Sequence, residues 1–114
     1  MSIISAIFGK FTSVGNQTAQ SRMICKKLHD THVKYASEKM PDGQDLIIGR
    51  DGHLNIVDDG IIELTFGVES AFRFEIDKLS VWEFMSLDGA VFSGVDINSS
   101  EQKTFTVYYD KHLT

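Results

Sequence analysis

Residues 54–66 read LNIVDDGIIELTF, and the pairing of the two halves of this stretch decides which side chains a sheet would bury. A two-residue Asp59-Gly60 loop would set Ile56 against Glu63 and Asn55 against Leu64, mixing polar and apolar residues on both surfaces. A buried face resists that mixture, because a one-residue slip turns every side chain to the other side. A three-residue loop of Asp58, Asp59 and Gly60 instead pairs Ile56 with Ile62 and Leu54 with Leu64, and adds Phe66 to the same side. His53, Asn55, Glu63 and Thr65 then share the opposite side. This loop sets Gly60 third, where a left-handed residue is wanted.

The turn accounts for the adjacent carboxylates without a ligand. Calcium takes about six to eight oxygens, and the acid spacing of a helix-loop-helix calcium loop fails at Gly43, Gly52 and Gly60 alike. No metal and no cofactor are expected.

Outward from this hairpin, period-two patterning runs over 45–49, 53–57, 61–66, 71–77, 79–86, 90–97 and 103–110, with short connections that favour antiparallel neighbours. AFRFEID (71–77) alternates Phe72, Phe74 and Ile76 inward against Arg73, Glu75 and Asp77, and the last strand sets Phe105, Val107 and Tyr109 against Thr104, Thr106 and Tyr108. In WEFMSLDGAVFSGV (82–95), a loop of Leu87, Asp88 and Gly89 puts Leu79, Val81, Met85, Val91, Val95 and Ile97 on one face and Trp82, Phe84, Phe92 and Gly94 on the other. Both faces are apolar, so the aromatic one needs a cover.

Toward the N-terminus the period becomes helical. Ile3, Ile4, Ile7, Phe8 and Phe11 outline a short apolar-faced helix with Ser2 as a cap. A second helix, capped by Asn16 or Thr18, is predicted to run to Met40-Pro41, with Ser21, Ile24, Cys25, Leu28, His32, Tyr35 and Ala36 as its inner stripe. Residues 1–114 are therefore expected to form a single domain, with a helical segment over 1–40 and an antiparallel sheet over 45–110 sharing one core.

The bulk properties are those of a folded soluble chain: 114 residues, 42% hydrophobic and 24% charged. Net charge is −5, from +4 in residues 1–40 and −9 in residues 41–114. A mainly acidic body argues against nucleic acid, since phosphate neutralisation supplies most non-specific affinity. One cysteine excludes an intrachain disulfide, and with no apparent export signal or membrane span the expected location is the cytoplasm.

Several chemistries can be set against simpler readings. Cys25, His29 and His32 share a helical face, yet a mid-helix cysteine on an inner stripe is a small core residue, with nothing nearby to support a thiolate. His29 and His32 lack a third metal ligand. The carboxylates Glu63, Glu69, Glu75, Asp77 and Glu83 fit the solvated sides of strands. An N-terminal helix with only Lys10 as a cation is poorly equipped for a membrane surface and suits packing against a sheet or another chain. No catalytic residue emerges, and the chain is expected to be non-enzymatic.

The sheet region resembles the bacterial pleckstrin-homology-like domains in its order of short strands. HLNIVDDGIIEL is like their early hairpin, FRFEIDKLSVWEFM like the strand-bend-strand at the middle, and KTFTVYYD like the closing strand. The resemblance implies a binding or assembly module. It departs in two respects: GRDGH (49–53) offers one arginine where a phosphoinositide site would need a basic cluster, and any capping helix must come from the N-terminus rather than the C-terminus. A cystatin-like roll with an internal pocket, binding a small molecule or catalytic, is the alternative architecture. The expected fold is α+β: N-terminal helices followed by a seven-strand antiparallel meander forming a bent sheet or partly closed barrel. The expected function is homo-oligomerisation or binding of a protein partner through an apolar sheet face, with Trp82, Phe84 and Phe92 as anchors and Ile4, Ile7, Phe8 and Phe11 as a rival cover.

Overall fold

The computed structural model describes residues 14–110, with side chains of the opening helix described from Ala19 onward. The short helix expected around Ile4, Ile7, Phe8 and Phe11 lies outside these residues. Among the described residues one helix, α1 (Val14–Leu28), precedes seven strands: β1 (Thr31–Lys39), β2 (Asp45–Val57), β3 (Ile61–Phe66), β4 (Glu69–Glu75), β5 (Ser80–Glu83), β6 (Gly89–Asp96) and β7 (Glu101–Tyr109). A 3-10 turn, Ile76–Lys78, joins β4 to β5.

The sheet order is β4-β3-β2-β1-β7-β6-β5, every neighbouring pair antiparallel. It is not a simple meander. β1 to β4 follow one another outward to one edge, the chain crosses to the other edge at β5, and β7 returns to pair with β1. The sheet curls without closing, so that Arg73 of β4 reaches the end of β6. There the Arg73 N–H donates to Asp96 Oδ1 at 3.0 Å and its carbonyl accepts the Ile97 N–H at 2.7 Å. The remaining gap between edges is covered by α1, which lies against β5, the 3-10 turn and β2.

Ser21, Cys25 and Leu28 form the inner stripe of α1, all fully buried. Lys26 and Lys27 in the last turn complement its dipole. The helix stops at Leu28, well short of Met40. Asp30 is left-handed at φ 66° and donates its N–H to the Leu54 carbonyl at 2.7 Å, turning the chain into β1. Residues 31–39 are the central strand rather than a helix, so His32, Tyr35 and Ala36 leave the predicted helical stripe. A bulge explains why the period misleads. Val33 pairs with Tyr109 and Ala36 with Val107, with the register shifted between them, so two residues three apart both face the core.

The first hairpin has the register predicted for it, Leu54 against Leu64 and Ile56 against Ile62. Its turn differs: Asp58 and Asp59 are left-handed at φ 53° and 59°, and Gly60 is not. The Gly60 carbonyl is held by the Ile76 N–H at 2.9 Å, continuing the pairing beside β4, and aspartate tolerates the left-handed region. Segments 45–49 and 53–57 are one strand, β2, kinked at Asp51 with φ 58°. The Phe66 ring lies over this kink, and a Cβ on Gly49 would come within 2.6 Å of it.

The second hairpin departs from its predicted register by three residues. Val81 pairs with Phe92, Trp82 with Val91 and Glu83 with Ala90, across a loop of residues 84–88. Phe92 therefore faces inward, opposite to Trp82. The Phe84 ring sits over Gly89, where a Cβ would lie 2.5 Å away. Inside, Phe72 meets Phe105 at 4.7 Å, Phe74 at 5.0 Å and Phe92 at 5.4 Å between ring centroids, all tilted. Leu54, Ile62, Leu64, Val33 and Val107 complete the core with the helix stripe.

Gly49→Ala is expected to lower the unfolding free energy by about 1–3 kcal/mol, the range for overpacking. The same change in a Phe66→Ala background is expected to cost less than half as much. Urea denaturation of the four proteins measures both.

Candidate functional site: the outer face of the sheet

The face turned away from the core divides into two unlike halves. From the start of β1 across β2, β3 and β4 it carries the rows His32–His53–Thr65–Ser70 and Asn55–Glu63–Arg73. This is the usual wet side of an antiparallel sheet. Arg73 Nε lies 3.6 Å from Glu63 Oε2, within ion-pair range but beyond a hydrogen bond.

Over β5, β6, β7 and β1 the pattern changes. One row runs Trp82–Val91–Thr106–Ser37–Ile47. The next runs Gly89–Tyr108–Tyr35–Arg50, with Phe84 filling the place that Gly89 leaves open. Tyr35 and Tyr108 stack with centroids 4.4 Å apart and planes 20° apart, and Phe84 meets Tyr108 at 5.7 Å. The Arg50 guanidinium carbon stands 5.8 Å above the Tyr35 ring, a cation–π distance. Trp82, Phe84, Val91, Tyr35 and Tyr108 are all half-buried, and Ile47 and Val95 at its margins are 49% and 56% exposed. Loss of water pushes the Tyr108 phenol upward, reinforced by Tyr35 and then by Asp45 and Asp88.

Of the anchors read from the sequence, Trp82 and Phe84 lie in this strip, and Phe92 lies in the core at 0% exposure because its strand pairs three residues away from the expected register. Ile4, Ile7, Phe8 and Phe11 lie outside the described residues. Tyr35 and Arg50 were missed as members of the strip. No period-two signal marks Tyr35 for the outer face: alternation with Val33 would turn it inward, and the bulge between Val33 and Tyr35 turns it outward. Arg50 was hidden by leaving residues 50–52 as a connection between segments 45–49 and 53–57.

The other sequence candidates are dispersed. Cys25 is fully buried and burial pushes its thiol up to about 12, so it is a core residue and not a nucleophile. His29 sits at the end of α1, where its Nδ1 accepts the Ile56 N–H at 2.8 Å. His32 is on β1, 3.5 Å from Asp51 Oδ1. Among the described residues no group of three or more His, Cys, Asp and Glu side chains is placed to hold a metal ion, and no helix is long and apolar enough to cross a membrane. His53 Nε2 lies 2.7 Å from Asp30 Oδ1, and this bond, with the charge of the imidazolium, holds the Asp30 carboxyl below the usual aspartate range.

Comparison with protein-family models, with curated proteins and with solved structures yields no match.

A carboxyl lowered in the folded state stabilises the corner above the ordinary aspartate range, and that contribution fades as pH falls through the lowered value. Titration followed by carboxyl NMR is expected to place Asp30 below a free aspartate and to restore it in His53→Ala. An unchanged titration in that variant would remove His53 as the cause. Iodoacetamide at about pH 8 is expected to spare native Cys25 and to label it in denaturant.

Proposed function

We propose that this protein is a non-enzymatic interaction module that associates with copies of itself through the aromatic half of its outer sheet face. The supporting observation is the contrast between the two halves. Core packing accounts for Phe72, Phe74, Phe92 and Phe105, which fill the inner side, whereas Trp82, Phe84, Tyr35 and Tyr108 stand on the opposite side of the sheet. Large rigid aromatics on a sparsely charged strip are the usual composition of an interface centre.

The architecture, a helix with a seven-strand bent antiparallel sheet, is compatible with a pleckstrin-homology-like assembly module in which α1 covers the gap between the sheet edges. That family assignment is part of the proposal. So is a cytoplasmic location, which fits a lone buried thiol. Nucleic acid is not proposed as a partner, because the body of the chain from residue 41 onward is acidic.

Sedimentation equilibrium is expected to detect reversible self-association, weakened about 30-fold by Trp82→Ala or Tyr108→Ala, the loss of about 2 kcal/mol typical of an aromatic anchor. A monomer at every concentration, or association unchanged in both variants, would overturn the proposal.

A further inference from the structure

A groove of about 640 Å3 separates α1 from the β2–β3 hairpin and the 3-10 turn. Met23 lines its helical wall and Ile56 and Ile76 its opposite wall, and Met23 is left 70% exposed. Two contacts bridge its walls. Arg22 pairs with Asp77 across the groove. His29 Nδ1 accepts the Ile56 N–H. A short ligand fits this volume, since sites of about 300–1,000 Å3 hold drug-sized molecules.

The rim has polar groups of both signs. A backbone N–H can only donate, so Nδ1 of His29 bears the lone pair and the neutral ring carries its proton on Nε2, ready to donate. Lys26, also on the rim, has no ion-pair or hydrogen-bond partner for its ammonium among the described residues, and the Asp59 carboxylate across from it has none either. A simple anion is poorly served here, because the carboxylates of Asp59 and Asp77 also line the groove. A ligand with both charges and an apolar body is complementary.

We propose that this groove binds a short zwitterionic peptide, two or three residues long. Its apolar side chains rest on Met23, Ile56 and Ile76, its carboxylate meets Lys26 and the His29 Nε2–H, and its ammonium meets Asp59. The site is separate from the outer aromatic strip and shares no residue with it.

The test is an amide NMR titration of the full chain with the dipeptide Leu-Phe, its N-acetyl form and its C-terminal amide. Saturable shifts are expected at Met23, Ile56 and Ile76, with each blocked form binding about 10-fold more weakly, the loss of about 1.4 kcal/mol. Asp59→Asn is expected to abolish discrimination against the acetylated peptide and Lys26→Met discrimination against the amide, while both variants keep the native spectrum away from the groove. Absence of saturable shifts up to about 10 mM, shifts located elsewhere, or equal binding of all three peptides would overturn the proposal.

Discussion

A curled sheet that does not close has two edge strands, and each presents backbone groups that must find partners wherever water is excluded. Here the two edges are β4 and β5, adjacent in sequence and on opposite ends of the sheet. Different devices serve them. Asp96, 3% exposed at the end of β6, accepts the Arg73 N–H of β4 together with the Asn98 N–H and the Ser99 hydroxyl. Ser21 of α1 accepts the Val81 N–H of β5 at 3.2 Å in a buried site, standing in for a strand that is not there. The position of the helix follows from that need, and so does the groove along its side.

A second tie fixes the same helix. Glu83 faces inward from β5, 13% exposed at its side chain, and accepts hydrogen bonds from Lys27 Nζ at 3.0 Å and from the Tyr109 hydroxyl at 3.2 Å. Burial raises the Tyr109 phenol, and the Glu83 carboxylate raises it further, so the hydroxyl keeps its proton and remains a donor. α1, β5 and β7 are joined in this way at one corner. Turning Glu83 inward turns Trp82 outward, so the tie that seats the helix also places the tryptophan on the aromatic strip.

Legibility from sequence followed the contrast between faces. The first hairpin was readable because Leu54, Ile56, Ile62 and Leu64 can share a side in only one register. Phe72, Phe74, Phe105, Val107 and Tyr109 likewise alternate against polar neighbours and are buried as expected. The second hairpin was misread because both of its faces are apolar, which removes the penalty that normally identifies a slip. Its resolution depends on tertiary partners: Phe92 meets Phe72, and Glu83 meets Lys27. β1 was hidden by a bulge that imitates helical spacing, and β2 was cut in two at a glycine-flanked kink covered by Phe66, a contact between residues distant in sequence. The strand count of seven survived because one strand was gained and two were merged. Of the aromatic strip, Trp82 and Phe84 were singled out from sequence, while Tyr35 and Arg50 depended on those two misread segments.

If the helix completes the sheet by supplying the partner that edge strand β5 lacks, the Val81 amide is the place to measure it. Native-state hydrogen exchange is expected to find Val81 protected as strongly as the amides of the central strands β1 and β7. In Ser21→Ala its protection is expected to drop at least about 10-fold, the loss of a buried hydrogen bond worth about 1.4 kcal/mol, with the central strands little changed. Equal protection of Val81 in both proteins, or a Val81 amide that exchanges freely in the unaltered chain, would contradict the account.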